Sequence, residues 1–403
     1  MIRGTIVRVC GPAPQAQDLH RALEIDTTLA WKLMRAAFDS DLFVAATYLP
    51  GPRGCSIFGK AAASVLDDQR VVERIEPLSD AYQRFIKLHA GDRDSFETML
   101  LAHAEAGLSD VPLARRKEAF KANGGIWGVQ TRLLGGMFFV RPNTEFPQMV
   151  DMVVMTGLVD LRCLRPHVEW PICWSRWSND GGELRRTDGG IAVDPSNEPM
   201  SPPILREFCS KPLPSMRWAD AADGQSACLL TDLGVGDTAM RTVTTAEYMP
   251  TVAPRFRDPK NTSAEFAVTV RAPAEMLLLD VLVEEDTFAL VDREPEVAIV
   301  SRLHEATTPQ RLLRHPRNLL PISEKVEVVR ASPRSCEFQP WGELSNAYQS
   351  VSDRLGWSMD RFTLHRLILP FPILPSSVVM SFPLQEATPL SAARGTSLDA
   401  SRV

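Results

Sequence analysis

The sequence predicts an α+β protein, a helical N-terminal region followed by a β-rich domain. Three observations predict it. Between residues 15 and 135 apolar side chains recur every three to four positions, the spacing that gathers them on one face of a helix. From about residue 137 the chain turns to short runs such as "EFAVTVRAP", "MLLLDVLVEE" and "EKVEVVRAS", with turn signals between them. Residues 168–225 concentrate Trp, Pro, Gly and Asp, which suits loops and hairpin turns. At roughly 100–200 residues per domain, 403 residues favour two or three domains.

Taken from the start, "GTIVRVC" (residues 4–10) alternates as a short strand would, and "GPAP" breaks it. Helices follow over 16–23 and 27–38. A loop at 50–54 precedes another helical stretch, and in the next helix Leu78, Ala81, Phe85 and Leu88 lie three to four apart. Phe96, Leu100 and His103 repeat that spacing before Gly107, a helix stop. "LARRKEAFKANGGIWGVQTRLLGG" begins as a helix and meets Gly124 and Gly125, which suit close backbone packing or a hinge between the α and β regions. The β runs then extend to about 335, residues 342–357 return to helix, and the prolines of "FTLHRLILPFPILPSSVVMSFPL" assign that extended segment an edge or covering role. The expected boundaries are 1–60, 61–136, 137–384 and a disordered Ser/Ala/Thr-rich tail at 385–403. No internal repeat occurs.

The stretch with most to say about function is "LHRALEIDTTLAWKLMRAAF" (residues 19–38), which reads as a short helix, a tight turn and a longer helix. Leu19, Ala22 and Leu23 give the first helix an apolar stripe. Ile25 stands where an aliphatic side chain can plug between the helices. Asp26 occupies an N-cap position, able to accept from the backbone N–H of Thr28 or Leu29. On the second helix Leu29, Leu33 and Ala37 repeat every four residues, flanked by Ala30 and Met34, while Thr27, Thr28, Trp31, Lys32 and Arg35 are left for the opposite side. This stretch resembles the helix-turn-helix heads of bacterial transcriptional regulators, over about 25 residues. It departs from their pattern at His20, where a small residue is usual, and at Glu24, where the turn glycine is usual. The resemblance implies that Thr27, Thr28, Trp31, Lys32 and Arg35 face DNA, with Lys32 and Arg35 as phosphate contacts. It also implies a dimer, since such readers usually bind in pairs.

Other constellations are weaker. Cys163, His167 and Cys173 lie within eleven residues, with Cys209 as a conceivable fourth zinc ligand, but the spacing is that of no ribbon or finger, and buried thiols beside an ordinary histidine is the reading taken. "WPICWSRW" (residues 170–177) holds three of eight tryptophans and reads as a core anchor of the β domain. No GxSxG, HExxH, GxGxxG or phosphate-loop motif is present. Glu284, Glu285 and Asp286 suit a solvated turn, and "RLLRHPRN" (residues 311–318) a surface loop. The expectation is a protein without catalysis, cofactor or metal, with an enzyme of unrecognised site as the third reading, since catalytic groups can converge from distant positions.

Seven cysteines at wide spacing, with no CxxC pair, look like scattered reduced thiols. No run of 18 apolar residues occurs, and Arg3 and Arg8 interrupt the only apolar run at the N-terminus, so neither a membrane span nor a secretory signal is expected. The compartment expected is the cytoplasm. The net charge is −6, against wholesale nucleic-acid binding, yet residues 1–60 hold seven Lys/Arg and five Asp/Glu (+2), leaving 37 and 45 (−8) for the rest. That asymmetry has the sign of a DNA-binding head on an acidic body. The expected partners are DNA and a second copy of the chain; the alternative is a non-catalytic structural or protein-interaction role without DNA.

Overall fold

The structure is a computed structural model. It describes residues 1–101, 113–180, 183–186, 190–198, 201–220, 225–259, 262–288, 295–301, 319–320 and 322–387. The chain is α+β and divides into two compact units, residues 1–109 and 110–403. The motif at 311–318, and all but the first residues of the stretch at 385–403, lie outside the described residues.

The first unit is helical: α1 (Ile2–Cys10), α2 (Ala16–Leu23), α3 (Thr27–Phe38), α4 (Leu42–Thr47), α5 (Pro52–Leu66), α6 (Arg70–His89) and α7 (Arg93–Leu101). Its core joins Ile6, Leu19, Leu23, Ile25, Ala30, Leu33, Phe58, Ala62, Val71 and Ile75. Each fully buried aliphatic side chain there contributes about 1.5–3 kcal/mol. The strand expected over residues 4–10 is instead helix α1. Its β-branched residues fit either period, because Ile2, Thr5, Ile6 and Val9 also fall on one helical face, and Ile6 is fully buried against the core. Tertiary packing overrides the local strand preference. In α6 the spacing of Leu78, Phe85 and Leu88 marks a helix, but these side chains are exposed and the buried face is Val71, Ile75, Ser79 and Ile86.

The second unit runs α8 (Leu113–Trp127), β1 (Val129–Pro142), β2 (Met149–Cys163), β3 (Trp170–Asp180), β4 (Glu183–Arg186), β5 (Ile191–Ala192), β6 (Met216–Asp220), β7 (Gln225–Leu230), β8 (Arg241–Pro254), β9 (Ser263–Val270), β10 (Ala274–Glu284), β11 (Glu296–Ser301), β12 (Leu319–Leu320), β13 (Glu327–Arg330), α9 (Leu344–Leu355), β14 (Phe362–Pro370) and β15 (Ser376–Pro383). A seven-stranded sheet has the order β13-β14-β10-β1-β2-β8-β5, and two four-stranded sheets have the orders β12-β11-β15-β9 and β4-β3-β7-β6. The central pair β1–β10 is parallel, with Leu133 opposite Met276 and Val140 opposite Val283. Period-two alternation sends Leu134, Phe138, Leu277 and Val281 to one face of the large sheet, where they meet Val268, Val378 and Met380 of the second sheet. Leu133, Met137, Phe139, Leu278 and Leu282 go to the other face and pack on Ala347, Tyr348 and Val351 of α9.

One further expectation is corrected here. The proline-containing segment is not an edge: β14 lies between β13 and β10, and β15 between β11 and β9. Pro370 and Pro383 are the last residues of their strands and Pro372 and Pro375 fall in the turn, so no ladder interior loses a donor. Helix α8 runs through Gly124 and Gly125 to Trp127. The turn into β1 is made at Gly128, whose φ of 75° is left-handed backbone and whose N–H donates to Gly124 O at 2.8 Å. Gly124 is small because the Gln130 side chain occupies the space a Cβ would need.

Candidate nucleic-acid interface

The site is built on α1, α2 and α3. Helix α2 opens with a reciprocal cap in which the Gln15 side chain accepts from the Asp18 backbone while Asp18 accepts the Gln15 N–H at 2.9 Å. It ends at Glu24, held in the left-handed region at φ 51°, ψ 32°. The glutamate thus adopts the backbone that the motif usually gives to glycine. Ile25 follows and is buried between the helices. The other departure, His20, closes the same turn, with its Nδ1 donating to the Ile25 carbonyl at 2.5 Å.

Asp26 caps α3 as its position in the sequence indicates, accepting from Thr28 N at 2.8 Å and Leu29 N at 3.3 Å. These two backbone donors hold the Asp26 carboxyl below the usual carboxylate range. Helix α3 buries Ala30 and Leu33 completely, and packs Leu29, Met34, Ala37 and Phe38 partly against the same core. Helix α1 packs on both α2 and α3, which completes a three-helix arrangement around the turn.

The five residues singled out in the sequence share the outer side of α3. Thr27, Thr28, Trp31, Lys32 and Arg35 are all exposed. Trp31 is 46% exposed and meets Tyr48 edge to face at 5.1 Å. Arg35 lies over the other part of this small cluster, its guanidinium 5.1 Å from the Tyr48 ring, and pairs with Asp39 at 2.8 Å. Among the described residues Lys32 enters no ion pair. Lys32 is therefore the strongest cation on this face, whereas Arg35 would have to share its charge with Asp39.

Sequence reasoning passed over a second cationic feature. Arg8, Arg70 and Arg74 rim an open cleft of about 420 Å³ together with Met1, Thr5 and Asp68. Asp68 pairs with Arg8 at 3.0 Å, a hydrogen bond that holds its carboxyl below the ordinary range. Its signal was the recurrence of basic residues around 70–74, visible only once α1 is seen to be a helix lying beside α6.

One buried polar cluster of the second unit is closed on itself. Asp280 of β10 is fully buried and faces Arg366 of β14 across the ladder. Arg366 donates to it through Nη2 at 2.6 Å and Nε at 3.0 Å, and Tyr348 Oη donates to it at 2.6 Å. Arg366 also reaches the Glu337 carbonyl at 2.9 Å and lies over the Phe338 ring. Such a cluster, with every polar atom engaged and none facing solvent, locks β10, β14 and α9 together. Glu284, expected in a solvated turn, is buried and pairs with Arg361 at 3.0 Å and Arg141 at 3.4 Å. Cys163 is buried while His167 is exposed, and among the described residues no group of three or more His, Cys, Asp or Glu is placed to hold a metal ion. Trp170 is buried in the core, as an anchor should be; the side chains of Trp174 and Trp177 lie outside what is described. No helix among the described residues is long and apolar enough to cross a membrane.

No protein-family model matches the chain, and no curated protein matches it. Among solved structures, a chain described as a "putative protease" from Parabacteroides distasonis ATCC 8503 is similar over 63% of this chain, with 7% identity and a TM-score of 0.27. The match spans 40% of that neighbour's length, and at that TM-score it says nothing about function.

Proposed function

We propose that this protein binds DNA as a transcriptional regulator, reading the major groove with α3. The observation that carries the reading is the turn. Glu24 takes the left-handed backbone, Ile25 plugs the helix pair, and Asp26 starts α3 so that Thr27, Thr28, Trp31, Lys32 and Arg35 emerge on one exposed side. Thr27, Thr28 and Trp31, nearest the N-terminus of α3, would meet base edges. Lys32 and Arg35 would meet phosphates, and a second copy of the chain would supply the other half-site.

Fluorescence polarisation with mixed duplex DNA, at low and moderate salt, tests this. Binding should weaken as salt rises, and Lys32→Ala/Arg35→Ala should weaken it about tenfold or more and lower the salt slope by about 2, roughly 1 per phosphate contact removed. Absence of binding even at low salt would sink the proposal. The exposed Trp31, Leu42 and Phe43 of the same unit would then favour a protein-contact role for this surface.

A further inference from the structure

The seven cysteines look scattered in the sequence, but two of them face each other in the second unit. Strands β3 and β7 are antiparallel, and Cys173 is the register partner of Cys228. Trp218 of β6 lies opposite Cys228 on its other side, so the row reads Trp218, Cys228, Cys173. Directly opposed residues of an antiparallel pair have Cα atoms about 4.5–5.5 Å apart, inside the roughly 4.4–6.8 Å window a disulfide needs. Cys228 is fully buried in the core between the sheets, and the half-buried Cys173 packs against that same core, so both sulfurs are on one face.

The pair differs chemically from the other thiols. Burial pushes Cys10, Cys55, Cys163, Cys209 and Cys336 up, Cys209 to about 11, which makes them poor nucleophiles. Cys228 moves the other way, because the Cys173 thiol hydrogen-bonds to its sulfur. Cys173 also lines a largely apolar cavity of about 270 Å³, together with Trp170, Thr156 and Thr245. One residue of the pair therefore borders a space that a small neutral oxidant could enter without unfolding the sheet.

We propose that Cys173 and Cys228 form a reversible redox site, which hydrogen peroxide converts from two thiols to a cross-strand disulfide. The pair first gives the Cys228 proton to solvent; the remaining proton then shifts along the hydrogen bond from Cys173 to Cys228, and the Cys173 thiolate attacks one peroxide oxygen. An S–O bond forms and the O–O bond breaks. The departing hydroxide takes up the proton that the pair had given to solvent, and leaves as water. The Cys228 thiol then attacks the sulfenic sulfur of Cys173; the S–S bond forms, the S–O bond breaks and a second water leaves. Two thiols lose two electrons, and the peroxide gains them.

The test uses the full chain and hydrogen peroxide, with glutathione in the same tube as the reference thiol. After quenching, remaining thiols are alkylated in denaturant and the peptides mapped by mass. The expected result is loss of two alkylatable cysteines out of seven, at least tenfold faster than glutathione, with one new linked peptide pair joining Cys173 and Cys228 that dithiothreitol reverses. Cys173→Ser should leave Cys228 alkylatable after the same exposure. A link between any other pair overturns the proposal, as do sulfinic acid on Cys173 with Cys228 still free and loss no faster than that of glutathione. The wild-type map decides the matter even if a variant folds poorly.

Discussion

Arg366 and Asp280 stand where single-residue changes should cost most. The guanidinium is held by Asp280, by backbone carbonyls and by the face of Phe338, and the carboxylate has no route to water. Arg366→Leu would leave Asp280 buried without its cation, a loss of about 3–5 kcal/mol. Tyr348→Phe removes only one donor and should cost about 1–3 kcal/mol. Urea unfolding of the two variants should therefore rank them in that order; equal losses would mean the ion pair is no more important than the phenol. Asp194 gives a pH dependence of known sign. Burial raises its pKa, but the Ser196 hydroxyl (2.7 Å) and N–H (2.9 Å), with Arg354 at 3.7 Å, outweigh burial and hold the carboxyl below the usual range. A lowered folded pKa means stability fully present above the unfolded value of about 3.9 and lost as pH falls through the folded one. Asp194→Asn should thus cost about 1–2 kcal/mol at pH 7, and the gap from wild type in thermal melts should close below about pH 4.

Between elements, what matters is how closely backbones approach and how turns are made. Glu24 bears the steric cost of a left-handed backbone, so Glu24→Gly should raise the melting stability of the helical unit by up to about 1 kcal/mol, and Glu24→Val should lower it. At Gly136, where β1 faces β9, an added Cβ would lie 2.1 Å from Val268 Cγ2. Gly136→Ala should cost about 1–3 kcal/mol, and adding Val268→Ala should recover part of it; a double variant as unstable as the sum of the singles would show that the two do not meet. Helices α2 and α3 were legible down to their ends, because Asp26 before an apolar period of four states both where α3 starts and which side it hides. The strand-like residues 4–10 were not, since their period is ambiguous until Ile6 is seen in a helical core. The proline-rich C-terminal strands misread for a different reason. Propensity counts prolines, while the sheet cares only whether each one falls inside the ladder. The Cys173–Cys228 pairing was invisible for a third reason, because strand register is a long-range fact.

Across the whole molecule the net charge of −6 opposes a polyanion, so the proposed DNA contact must work through local charge on the N-terminal 60 residues, which is +2. Asp26→Asn keeps a capping oxygen but removes a negative charge beside the exposed face of α3. If α3 meets DNA, this variant should bind about two- to fivefold more tightly at low salt and converge on wild type as salt rises; unchanged affinity at every salt would place the duplex elsewhere. The order of the central strands bears on how the chain is made. Packing in the helical unit joins residues near one another in sequence, and its helices are made before the strands of the large sheet. In the large sheet, β1 waits for β10 some 140 residues later, and β10 waits again for β14 to cover its other edge. Contacts of such separation must bear loop-closure entropy before they return anything, so that sheet should form slowly and after translation has passed residue 370. Until then β1 and β10 present long apolar edges, and the interval between synthesis and closure is when this chain should most depend on chaperones.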